Sequence, residues 1–102
     1  MTRLSLALAL LIAAPAAAQD KSIDFCVEAS KLAETAMTVR QTGQPIHGVL
    51  SELGNALSGD DLNLATGLIE LAYMEPLYST AEYKARAASE FASTFFRACR
   101  RM

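Results

Sequence analysis

Apolar residues along most of this 102-residue chain recur every three or four positions, which is the spacing of amphipathic helices. No segment alternates with period two or is rich in β-branched residues, so strands are not expected. The first helix is predicted from about Ser22 to Thr42, where Gly43 and Pro45 stop it. Two adjacent apolar stripes predict a wide buried face for this helix: Ile23, Cys26, Ala33 and Met37, and beside them Phe25, Ala29, Leu32, Ala36 and Val39.

A short second helix is predicted after Pro45, because proline suits the first turn of a helix. It should end at Gly54, and a loop should follow over residues 55–59. Ser58, with Asp61 three residues later, has the spacing of a capping box, in which each side chain bonds a free backbone N–H of the other residue. A third helix is therefore predicted to begin there.

The third helix should reach about Tyr73, because the residue before Pro76 disfavours the helical conformation. A second capping box, from Ser79 to Glu82, predicts the start of a fourth helix that reaches about Arg100. The apolar positions expected to face inward on these three later helices are Ile46, Val49, Leu50 and Leu53, then Leu62, Ala65, Leu68, Ile69 and Ala72, and finally Tyr83, Ala87, Ala88, Phe91, Phe95 and Cys99.

The first 18 residues, 14 of which are apolar, have the organisation of a secretory signal peptide. Arg3 supplies the positive charge, residues 4–14 form the apolar core, and Pro15 precedes a run of small residues. Cleavage is expected between Ala18 and Gln19, which leaves a helical domain of residues 19–102 in the periplasm or outside the cell. The alternative is a retained anchor, but the apolar run is shorter than the roughly 20 residues that span a bilayer.

Export would expose the two cysteines, Cys26 and Cys99, to an oxidising compartment, where such a pair in a small domain usually forms a disulfide. The bond would hold the first and last helices side by side and antiparallel. The predicted fold class is all-α: a compact bundle of three long helices plus one short helix, with one disulfide joining the first and last. A reactive or metal-binding thiol pair is the rival interpretation, but neither cysteine lies in a Cys-x-x-Cys motif or near a histidine.

Catalytic constellations are hard to assemble from this chain, so we expect no enzyme activity, no cofactor and no metal. Gly-x-Ser-x-Gly, a phosphate-binding glycine loop and His-Glu-x-x-His are all absent from the sequence. The adjacent acids Asp60 and Asp61 fit the start of a helix better than a catalytic carboxylate pair. His47, the one histidine, is interpreted as a surface residue, with pH sensing as the sharper alternative.

Charge is unevenly distributed, with nine acids and three bases in residues 19–75, but two acids and five bases in residues 76–102. The bases are few and lack a nucleic-acid-reading motif, so we expect no nucleic-acid partner. The basic residues of the last helix have two interpretations. They either form a solvated surface and match the helix dipole, or form a cationic stripe that binds an acidic partner or anionic lipid. The stripe would contain Lys84, Arg86, Arg97, Arg100 and Arg101.

A candidate interaction surface lies at the predicted turn between the third and fourth helices. Tyr73, Pro76 and Tyr78 cluster there, and aromatic residues beside such a turn either bind a partner or pack the loop itself. Arg40 and Gln41, at the end of the first helix, are included in this surface. Arg40 suits the negative end of the helix dipole, and it could also reach an acidic or aromatic group on that turn.

Several short motifs run through the whole domain: Cys26, Met37, Arg40-Gln41-x-Gly43, Leu68-Ile69-x-x-Ala72-Tyr73-x-x-Pro76-x-Tyr78-Ser79, Ala87 or Ala88 before Glu90-Phe91, and Cys99. In these motifs the chain resembles a scattered set of small exported helical proteins of Gram-negative bacteria and their phages. That resemblance implies no activity, substrate or ligand. In size, leader, helical content and single disulfide the chain is also similar, more loosely, to periplasmic acid-stress chaperones and small periplasmic immunity proteins.

The leading functional hypothesis is a non-enzymatic periplasmic or secreted protein-binding module, whose partner is another envelope or secreted protein. One alternative is a stress chaperone that exposes its apolar faces in acid or on reduction. Another is a membrane-active cationic helix, residues 80–102, released when the disulfide is reduced.

Overall fold

The computed structural model describes residues 22–102, which form four helices and no strand. They are α1 (Ile23–Arg40), α2 (Ile46–Ala56), α3 (Gly59–Ala72) and α4 (Ala81–Arg101), with 18, 11, 14 and 21 residues. The predicted all-α bundle is confirmed. The predicted division into three long helices and one short helix is not confirmed, because the four lengths increase in steps without a clear break. The predicted leader and its cleavage site lie outside the described residues.

Helix α1 begins and ends close to the predicted positions. The Ser22 hydroxyl accepts a hydrogen bond from the Phe25 N–H at 3.1 Å, which satisfies one of the free N–H groups of the first turn. The helix ends at Arg40, and the chain then turns through Gly43, whose φ of 86° lies in the left-handed region. Glycine adopts that conformation without the steric cost of a Cβ atom, so Gly43 ends the helix as predicted.

The prediction that Gly54 ends α2 is wrong, because the helix continues through Gly54 to Ala56. One glycine inside a helix costs only about 1 kcal/mol, which the packing of Leu53 against the core can offset. The predicted loop over residues 55–59 is therefore reduced to Leu57 and Ser58.

The capping boxes predicted for α3 and α4 differ from those in the structure. Ser58 is the N-cap of α3, but its side chain makes no capping hydrogen bond; the next residue, Gly59, has a left-handed φ of 62°. At α4 the cap is Thr80 rather than Ser79, and its hydroxyl accepts from the Tyr83 N–H at 3.1 Å. The sequence allows either the Ser79 or the Thr80 hydroxyl to cap this helix, and the path of the backbone places Thr80 at the cap position.

The core forms where α1 packs between α4 and α3, and where α2 covers α3. Half of its buried side chains are alanines, so the helices can approach closely. The buried members of this core are Ala33, Ala36, Met37, Val49, Leu68, Ile69, Ala72 and Ala88.

The predicted wide buried face of α1 is only partly buried. The core members of α1 all come from its C-terminal half, whereas Ile23 and Phe25 are 56% and 55% exposed and Leu32 is 49% exposed. The reason is that α2 and α3 are both shorter than α1 and cover only part of its length.

The predicted disulfide between Cys26 and Cys99 is confirmed, with Cα atoms 5.6 Å apart and a sequence separation of 73 residues. At the opposite end of the same helix pair, the Lys84 ammonium at the start of α4 donates to the Gln41 carbonyl oxygen that follows α1. The two helices are therefore antiparallel. A disulfide fits an oxidising compartment. Within residues 22–102, no helix has the length and apolarity that crossing a bilayer requires.

We predict that Cys26→Ser with Cys99→Ser lowers the free energy of unfolding by roughly 2 to 4 kcal/mol, because the bond restricts the unfolded chain over a long loop. In thermal unfolding followed by circular dichroism, the midpoint should fall by more than about 10 °C. Wild-type protein treated with reductant is the control and should match the double variant. An unchanged midpoint in both samples would show that the disulfide adds nothing to stability.

Candidate functional site

The predicted interaction residues meet where the α1–α2 turn contacts the connection between α3 and α4. Gln41 lies at the centre and is 5% exposed. Its amide nitrogen Nε2 donates to the Pro76 carbonyl at 2.9 Å, and its amide oxygen Oε1 accepts from the Tyr78 N–H at 2.9 Å. The side chain thus holds the α3–α4 connection through both ends of its amide.

Arg40 and Tyr73 form a second set of contacts beside Gln41. The Arg40 guanidinium carbon lies 4.9 Å from the centre of the Tyr73 ring, a cation–π geometry, and its Nε donates to the Glu75 carbonyl at 3.0 Å. The Tyr73 hydroxyl donates to the Gln44 carbonyl at 2.6 Å. Arg40 therefore makes the contact with an aromatic group on this connection that the sequence suggested.

Lys84 completes the junction from the first turn of α4. Its ammonium donates to the Gln41 carbonyl at 2.9 Å, where a positive charge meets the negative end of the α1 dipole. We use the name loop clasp for these contacts, which join Arg40, Gln41, Gln44, Tyr73, Glu75, Pro76, Tyr78 and Lys84. The five predicted interaction residues all belong to it. Their role in binding a partner stays a prediction, and their polar contacts within the domain hold two connections together.

A separate feature, which sequence reasoning missed, is an apolar groove of about 180 Å³ between α1, α2 and α3. Its one polar side chain is Thr35, whose hydroxyl donates to the Lys31 carbonyl at 3.1 Å within α1. The groove therefore offers apolar contact to a ligand and little hydrogen bonding. Its lining consists of Leu32, Thr35, Ala36 and Val39 from α1, Val49, Leu53 and Leu57 from α2 and its end, and Ala65, Leu68 and Ile69 from α3.

Two leucines at the mouth of this groove are accessible to solvent. Leu32 is 49% exposed, and Leu57 in the two-residue connection is 37% exposed. The sequence pattern predicts Leu32 in the core and Leu57 in a loop, and so does not indicate that both line a groove. Leu57, a large apolar residue in a short connection between two helices, was the one sequence feature that could have indicated the groove. Whether it lines a groove depends on how α2 and α3 are arranged against α1.

Charge around the two regions is asymmetric. Residues 22–75 contain eight acids and two bases, and both bases have contacts within the domain: Lys31 pairs with Glu28 at 3.3 Å, and Arg40 belongs to the loop clasp. The surface made by α1, α2 and α3 is therefore strongly anionic.

The cationic stripe predicted on α4 is divided. Lys84 belongs to the loop clasp, and Arg86 forms an ion pair with Glu82 at 3.3 Å and lies over the Tyr83 ring. The remaining arginines are at the other end of the helix. His47 lies exposed on α2. Among residues 22–102, no three His, Cys, Asp or Glu side chains converge as a metal site would require.

No protein-family model, curated protein or solved structure matches this chain. The resemblance to small exported helical proteins stays a prediction that rests on the motif residues.

We predict that Gln41→Ala lowers the free energy of unfolding by about 2 kcal/mol, because it leaves the Pro76 carbonyl and the Tyr78 N–H without their partner. The midpoint of thermal unfolding should fall by roughly 10 °C. Gln44→Ala is the matched control, since Gln44 is exposed, and should change stability by less than about 0.5 kcal/mol. Equal effects of the two substitutions would contradict the central role of Gln41.

Proposed function

We propose that this chain is a non-enzymatic protein-binding module that is exported by its leader to the periplasm or beyond the cell, and that it binds its partner in the apolar groove. The observation that carries the proposal is the groove itself: three helices converge on a concave apolar surface, and two of its lining residues, Leu32 and Leu57, are exposed. Exposed apolar residues around a concave surface are typical of binding sites. The leader pattern and the disulfide support export.

The size and chemistry of the groove favour a protein partner over a small molecule. Small-molecule pockets usually enclose about 300 to 1,000 Å³ and contain a few polar groups that orient the ligand. This groove has a volume of about 180 Å³, and its single hydroxyl is bonded within its own helix. It is large enough for one or two apolar side chains, which is how an amphipathic helix anchors in a partner.

The loop clasp and the disulfide suit such a module because they keep the groove in one shape. The disulfide holds the N-terminal end of α1 against α4, and Gln41 holds its C-terminal end against the connection that follows α3. A groove that is already shaped loses less conformational entropy when a partner binds. In this proposal the predicted interaction residues do not line the groove and instead hold its helices in place.

The two alternatives have less support from the contacts. A released cationic helix would have to give up the bond that Lys84 makes to the Gln41 carbonyl, whereas the Arg86–Glu82 pair lies within α4 and would move with it. A stress chaperone depends on apolar surface that appears conditionally, whereas the groove leucines are already exposed in the folded domain.

The proposal is tested by placing a photo-crosslinking amino acid at Leu57 in the full chain, expressed from its own leader. We predict a discrete crosslinked adduct with one partner protein in the cell envelope or medium. The same amino acid at Ser89, an exposed position on α4, is the control and should give no such adduct. Adducts of equal pattern from both positions would contradict the proposal.

The partner identified in this way is then purified and its dissociation constant measured by titration calorimetry. Leu32→Ser should weaken binding by at least about tenfold, because the groove loses the burial of a leucine side chain. Leu64→Ser is the matched control, since Leu64 is 47% exposed on α3 and does not line the groove. Circular dichroism confirms that both variants remain folded. Equal affinity for the two variants would place the binding site elsewhere.

A further inference from the structure

We infer that the occupant of the groove is an amphipathic helix whose apolar face is bordered by lysine or arginine residues. This inference rests on the proposed function and adds the chemistry of the partner. Three observations support it: the shape of the apolar surface that leads into the groove, the acids beside it, and the net charge of the helices that form it.

The apolar surface is elongated along α1. Phe25, Ala29, Leu32 and Ala36 follow one another at helical spacing, and the last two line the groove. From Phe25 to Ala36 the helix rises by about 16 Å, which equals three turns of a partner helix. Anchors at the first, fourth, eighth and twelfth positions of such a helix span this distance, whereas a single small ligand would fill only the groove.

Acidic residues stand beside this surface on both α1 and α3. Glu28 precedes Leu32 by four positions, so the two side chains share one side of α1, where Glu28 also pairs with the exposed Lys31 at 3.3 Å. Asp61 precedes Ala65 by four positions and Leu68 by seven, which places it on the face of α3 that lines the groove. Asp61 is exposed, in the first turn of α3. A basic residue on the partner could pair with it at the rim.

The net charge of the part of the chain that forms the groove also favours a basic partner. Residues 22–75 have eight acids against two bases; Lys31 pairs with Glu28, and Arg40 bonds the Glu75 carbonyl in the loop clasp. A partner with basic flanks gains from this field in both association rate and specificity. A second copy docked through the same face, or an anionic lipid surface, would instead bring like charges together.

The test measures fluorescence anisotropy of three labelled peptides of about 18 residues, or five helical turns, that share one leucine face and carry lysine, glutamine or glutamate on the other. At about 50 mM salt, the full exported protein should bind the lysine peptide at least about tenfold more tightly than the glutamate peptide. At about 500 mM salt the ratio should shrink by several-fold. Leu32→Ser should weaken binding of the lysine peptide by about tenfold, and Leu64→Ser should not.

Two substitutions that change the net charge equally distinguish the effect of a charge at the groove rim from the effect of the net charge of the domain. Asp61→Lys should reduce the preference for the lysine peptide by several-fold, while Glu90→Lys on α4 should leave it nearly unchanged. Because Asp61 lies in the first turn of α3, circular dichroism must show retained helicity. Asp61→Asn, which suits a helix start, provides a second and milder variant.

The possible results distinguish the inference from the proposed function. If all three peptides bind equally and Leu32→Ser weakens each, the groove binds helices but the charge preference is overturned. If no peptide depends on Leu32, both the inference and the proposed function fail. A dimer in sedimentation, or binding to phosphatidylglycerol vesicles, that is lost in Leu32→Ser would assign the groove to a second copy or to a lipid surface and overturn the inference.

Discussion

Helix α1 is held at both ends. The disulfide fixes its N-terminal end, and the side-chain amide of Gln41 attaches its C-terminal end to the connection between α3 and α4. That amide donates to the Pro76 carbonyl and accepts from the Tyr78 N–H, and so holds the connection between α3 and α4 against the end of α1. The disulfide between Cys26 and Cys99 holds the other end of the same antiparallel pair. Half of the buried core side chains are alanines, which bury little area each, and the disulfide and the Gln41 amide add two specific attachments to this core.

The groove follows from unequal helix lengths on this frame. α2 and α3 have 11 and 14 residues, while α1 has 18, so their hairpin covers only the C-terminal half of α1. Where the hairpin stops, Leu32 and Leu57 are left at the edge of the core. The groove is thus an unfinished part of the hydrophobic core, and a partner that supplies apolar side chains would complete it.

Most acidic and most basic residues lie on different helices of the domain. The acids are concentrated on α1, α2 and α3, and the bases on α4, so the domain has an anionic side, which contains the groove, and a cationic helix beyond it. The ion pairs Lys31–Glu28 and Arg86–Glu82 are local and exposed, and contribute little to stability. The uneven distribution therefore matters more for the choice of partner than for the fold.

The sequence by itself determined the helical class, the approximate span of each helix and the pairing of Cys26 with Cys99, because periodicity, helix-ending residues and a cysteine pair act locally or have one available partner. It also brought Arg40, Gln41, Tyr73, Pro76 and Tyr78 together as a group. Their arrangement as a clasp, the continuation of α2 past Gly54 and the exposure of Leu32 were decided only by the tertiary structure. These features depend on how far one helix covers another and on which polar groups meet across 35 or more residues of chain, as at Gln41 and Pro76, and helical periodicity contains no information about either.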